Sequence, residues 1–203
     1  MRHSKRKRNV REPKKIILIV CEGETEKKYF NTFRTRYRNN NIKIHTDFIL
    51  QNDPINLIKF TKTKRSLVKD FDANEKDCAW CVFDVDNNTD KVLKKVNDLA
   101  KKSNIKIVLS NPCIELWFLL HYKEVHSQIS VQDILSKLKE FIPNYKKGKI
   151  DYTILSKNTQ KAISNAKKLN KTHEKNQIDL ITTKSNPSTQ VFKLIESIDK
   201  KID

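Results

Sequence analysis

The chain has 203 residues, 37% of them hydrophobic, enough to bury the core of one ordinary domain and too apolar for wholesale disorder. Its 42 Lys and Arg against 24 Asp and Glu leave a net charge of +18, which points to a polyanion partner rather than a small-molecule substrate. No apolar run nears the roughly eighteen residues of a membrane helix, and the basic start leads straight into a strand without a signal-peptide pattern, so the expectation is a cytoplasmic chain with free thiols and no membrane partner.

Residues 1–14 form a basic arm of low hydrophobicity, read as a disordered segment that is either a solvated tail or a nucleic-acid contact. Lys15 to Cys21 is a continuous β-branched run, as in a strand of a parallel sheet buried on both faces. Glu22-Gly23-Glu24 breaks it, and a helix follows with Thr25 as its cap and Tyr29, Phe30 and Phe33 inward. Ile42 to Leu50 alternates as a second strand, and Pro54 to Lys69 is amphipathic behind an Asp53 cap. Ala79 to Val85 is a third strand, Asp90 to Lys102 a helix, Ile105 to Leu109 a fourth strand and Ile114 to His121 a buried helix. Val131 to Phe141, Lys157 to Lys171 and Thr189 to Lys201 are helical, with Ser188 or Thr189 capping the last.

The order predicts an α/β fold with a central, mostly parallel four-stranded sheet between helices. The expected organisation is an arm over 1–14, an α/β core over 15–122 and a helical C-terminal extension over 123–203 packed on that core. The cysteines Cys21, Cys78, Cys81 and Cys113 are too few for a structural zinc site, and a spacing of three on a strand sends Cys78 and Cys81 to opposite faces. They are read as buried spectators, and His121 as a core or rim histidine and not a base.

In such sheets ligands bind beyond the C-terminal ends of the strands. Glu22 closes the first strand, Asp84 and Asp86 the third, and Glu115 follows the fourth. Asp84 and Asp86, two apart on a strand end, are expected on one face, where converging carboxylates repel unless a cation lies between them. Mg²⁺ suits oxygen donors of this kind. The chain has only two glycines, Gly23 and Gly148, where typical usage of ~7% would give about fourteen. Gly23 directly after Glu22 is read as a need for positive φ or for close approach of a phosphate. Lys27, Lys28, Arg34, Arg36 and Arg38 on or after the first helix either form a solvated face or position a polyanion.

Three stretches carry a family resemblance: Ile19-Val20-Cys21-Glu22-Gly23-Glu24-Thr25-Glu26, Ser110-Asn111-Pro112-Cys113-Ile114-Glu115-Leu116-Trp117-Phe118-Leu119-Leu120-His121 and Asn186-Pro187-Ser188-Thr189-Gln190-Val191. Together they resemble the RloB-like proteins, small Toprim-domain proteins linked to phage defence and restriction loci. The resemblance implies a Toprim-like three-layer fold. It implies Glu22 as general acid or base and sometimes metal ligand, Asp84 and Asp86 as the metal pair with a catalytic role, Glu115 as a further ligand and Glu26 as a secondary acid. Mg²⁺, with Mn²⁺ as substitute, is the implied cofactor. RNA (tRNA among the targets) or DNA is the implied partner, alongside an ATPase or restriction protein from the same locus. Asn87-Asn88-Thr89 departs from the small Ala-Gly step that follows the Asp pair in many primases, which argues against primase chemistry. Three functions stay open: a Mg²⁺-dependent nuclease of an abortive-infection system, a non-catalytic nucleic-acid- or nucleotide-binding regulator, and a simple basic DNA-binding protein. The sequence shows no oligomer seam.

Overall fold

The computed structural model describes residues 14–38, 40–50, 53–72, 76–149 and 151–201; all but the last residue of the basic arm lies outside them. The chain begins β1 (Lys15–Cys21), α1 (Glu24–Arg36), β2 (Ile42–Phe48) and α2 (Pro54–Leu67). It continues through β3 (Cys78–Asp84), α3 (Asp90–Lys102), β4 (Ile105–Asn111), α4 (Glu115–Leu120) and α5 (Val131–Phe141). A 3-10 helix (Tyr152–Asn158), α6 (Thr159–Lys175), β5 (Ser188–Thr189) and α7 (Val191–Asp199) complete it. Among the described residues no helix is long and apolar enough to cross a membrane.

The sheet has five strands in the order β2-β1-β3-β4-β5. Four are parallel, as the alternation of strands with helices predicts; β1 and β3 are buried on both faces, while β2 at the edge alternates. The fifth corrects the four-strand expectation: Ser188 and Thr189 do not cap the last helix but pair antiparallel with Asn111 and Ser110. The Thr189 hydroxyl is drawn into that pairing, 3.0 Å from Ser110 Oγ, and the Ser188 hydroxyl donates to Ser185 Oγ at 3.0 Å. The helix starts two residues later than Thr189, behind Gln190, whose side-chain oxygen accepts from the Leu109 amide at 2.8 Å.

Two cores flank the sheet. On one face α1 and the C-terminal helices pack on Ile17, Ile19, Trp80 and Val82; on the other α2 and α3 pack on Leu18, Val20, Cys81 and Phe83. The residues alternate between faces as strand geometry requires, and Cys78 and Cys81 fall into opposite cores, all four thiols being free and buried. α4 is buried on every side, with the Trp117 indole donating to Tyr29 Oη at 2.7 Å. His121, wholly buried beside Trp117, is a core residue whose pKa burial pushes down to about 4.

Strand order places the site. The chain leaves β1 through α1 for β2 on one side, and leaves β3 through α3 for β4 on the other. With right-handed crossovers these opposite directions put α1 and α3 on opposite faces, opening a crevice beyond the C-terminal ends of β1 and β3.

Candidate functional site

The carboxylates converge at that crevice. Glu22 directly follows β1, its amide bonded to the Val82 carbonyl at 3.0 Å and its Oε2 accepting from the Asp84 amide at 3.4 Å. Asp84 is the last residue of β3 and faces the α1 side of the sheet. Glu115 opens α4 and is fully buried. Glu26 comes from the first turn of α1 and is buried as well.

Asp86 departs from expectation. β3 ends at Asp84, and Asp86 sits in an exposed turn at φ 41°, so strand alternation is not what brings the pair together. The turn does so, keeping Asp86 near enough to raise the pKa of both Glu22 and Asp84.

Gly23 also departs. Its φ is −130°, ordinary extended backbone, so no left-handed conformation is needed. A Cβ there would lie 2.6 Å from Glu26 Oε2. The position is empty because the Glu26 carboxylate folds back over it, accepting from its own amide in the first turn of α1. α1 begins at Glu24 with Gly23 at its N-cap and no side-chain cap bond, so Thr25 lies inside the helix and is not its expected cap.

The crowding shows in the acidities. Burial first, then Asp86 and Glu26, raise Glu22 to about 7. Burial, then Glu115 and Asp86, raise Glu26 to about 7 against the opposing pull of Lys147. Asp84 is pushed well above the carboxylate range by burial and by Glu26, Glu115 and Asp86, with the Ile114 amide opposing. Two buried oxygens, Glu22 Oε1 and Glu115 Oε2, have no hydrogen-bond partner. An all-oxygen set with orphaned, mutually repelling carboxylates fits the chemistry of a hard divalent cation. Among the described residues no three Asp, Glu, His or Cys side chains form a finished ligand set, so a cation would have to draw the carboxylates together.

Sequence reasoning missed two side chains on the loop between α5 and the 3-10 helix. Tyr145 Oη donates to Glu115 Oε1 at 2.9 Å, and Lys147 Nζ lies 3.6 Å from the same oxygen. The available signal was the other glycine. Gly148 holds φ 65°, the left-handed geometry glycine favours, and its carbonyl accepts from Lys28 Nζ at 2.9 Å.

The basic residues divide. Lys28 is at the site, clipped to Gly148 and 3.1 Å from Glu24. Lys27 turns toward β2, 3.9 Å from Asp47 and over the Phe48 ring. Arg34, Arg36 and Arg38 lie at or beyond the far end of α1, whose 13 residues span about 18 Å. A groove of about 610 Å³ between α1 and the 3-10 helix joins these regions, with Lys28 and Arg36 on its wall.

A sequence model of the family described as RloB-like protein matches residues 17–198, nearly the whole described chain. No curated protein and no solved structure shows significant similarity.

Proposed function

The chain belongs to the RloB-like family, and from that premise we propose that it is a divalent-metal-dependent nuclease hydrolysing phosphodiester bonds in RNA, tRNA included, or in DNA. The carrying observation is the pair of buried, unpartnered oxygens of Glu22 and Glu115 amid carboxylates from three adjacent parallel strand ends. The order β2-β1-β3-β4, with Glu-Gly after β1 and Asp-x-Asp at the end of β3, supports the Toprim-like reading of the fold.

Asp84, Asp86 and Glu115 would hold Mg²⁺ or Mn²⁺, with Glu22 at its edge. Such an ion supplies Lewis acidity toward a phosphate and lowers the pKa of a nearby water. Glu22, with a pKa near 7, is matched to giving and taking a proton at neutral pH. Lys28 positions a phosphate at the rim, and the groove along α1 leads the polyanion toward Arg36. A bacterial defence setting with an ATPase or restriction protein as partner follows from the family resemblance and is part of the same proposal.

One observation favours a second reading. Lys147 already stands beside Glu115 as a counter-ion, which suits a regulator that binds nucleic acid or a nucleotide without turnover. Incubating the protein with tRNA, single-stranded RNA and duplex DNA, with Mg²⁺ or with EDTA, separates the two. The nuclease reading expects cleavage that EDTA and Asp84→Asn abolish while binding persists. Binding without cleavage under every metal condition favours the regulator.

A further inference from the structure

Glu115 is 0% exposed whereas the Lys147 side chain is 59% exposed. The acid is therefore fixed, and its ammonium partner reaches in from solvent. Tyr145 anchors the same carboxylate oxygen and leaves Glu115 Oε2 without a partner. The turn carrying Lys147 is itself secured, since Lys28 bonds the Gly148 carbonyl and pairs with Glu24. The turn can thus hold its place while the long Lys147 side chain swings. An ion pair at 3.6 Å with one half-exposed partner is weak, and a divalent cation attracts the same carboxylate more strongly.

We propose that Lys147 is an internal counter-ion that holds the carboxylate cluster in the metal-free protein and is displaced from Glu115 when a divalent cation binds, which leaves its ammonium at the rim to meet the incoming phosphate. The inference rests on the metal-centre reading above. It adds a positioning residue that reads out cation occupancy and turns it into positive charge at the mouth of the site.

The test is calorimetric titration of Mn²⁺ at pH 8, above the pKa values of about 7 of Glu22 and Glu26, into the full chain and into Lys147→Met and Lys147→Arg. Removing the competitor tightens Mn²⁺ binding by roughly fivefold, the scale of a half-exposed ion pair, and the Arg variant stays near wild type. In parallel, amine acylation read by peptide mass spectrometry proceeds severalfold faster at Lys147 when Mg²⁺ is added, while exposed Lys175 on α6 is unaffected. Equal or weaker Mn²⁺ binding by Lys147→Met, or unchanged labelling of Lys147, overturns the inference and leaves the metal reading standing. Failure of the wild-type chain to bind Mn²⁺ at all overturns both.

Discussion

The Glu26 carboxylate lies back over Gly23, buried beside Asp84 and Glu115, and this position makes two measurable demands. Its pKa rises from 4.5 to about 7 on folding, so the folded state binds the proton more tightly. The stability gained is fully present below pH 4.5 and is lost as pH climbs toward 7, by on the order of a few kcal/mol. Glu26→Gln, which cannot ionise, therefore gains in melting temperature over wild type between pH 5 and 7, and the gain levels off above pH 7.5. A difference that stays constant with pH would contradict this. Gly23→Ala is expected to fold, because its backbone is unstrained and only the tip of a flexible side chain must move. Its Tm should stay within about 3 °C of wild type, while displacement of Glu26 weakens Mn²⁺ binding. A collapse of Tm would show that Gly23 serves the fold instead.

At the scale of elements, the two-residue β5 seats the end of β4 that leads into α4 and Glu115. Gln190 satisfies the Leu109 amide, and the Asn111 side chain donates to the Thr182 and Thr183 carbonyls. Gln190→Ala leaves a buried amide unpaired, and chemical denaturation should register a loss of about 1–3 kcal/mol. The four long strands and their helices are legible in the sequence because β1, β3 and β4 are mainly apolar runs cut by breakers, β2 alternates, and the helices carry apolar stripes. β5 is not, because its residues are polar and short and gain strand character only from partners some eighty positions away. The site shows the same division. Glu22, Asp84 and Glu115 stand out as acids at the ends of apolar strands. Tyr145 and Lys147 reach in from a loop whose only local mark is Gly148. Glu26 is marked only by the resemblance, as a secondary acid, and its burial near Glu115 and Asp84 comes from the fold. The proximity of Asp86 comes from a turn that strand periodicity cannot describe.

Across the whole molecule, the proposed nuclease would use its charge of +18 to gather a polyanion and its acidic crevice to act on it. Arg34, Arg36 and Arg38 lie far enough from the carboxylates to be removed separately. Replacing all three with Ala should weaken nucleic-acid binding, reduce the slope of log K against log salt by about 2 to 3, and leave Mn²⁺ affinity unchanged. An unchanged slope would take these arginines out of the binding surface. One assay decides whether carboxylates at the strand ends carry metal-dependent hydrolysis. Mg²⁺-dependent cleavage of a labelled tRNA is followed for wild type and for Asp84→Asn at matched substrate occupancy. Metal-dependent hydrolysis at these carboxylates requires cleavage by wild type that EDTA stops, and a rate for Asp84→Asn at least about a hundredfold lower with binding retained. Cleavage by Asp84→Asn at the wild-type rate, or cleavage that EDTA does not affect, would contradict it.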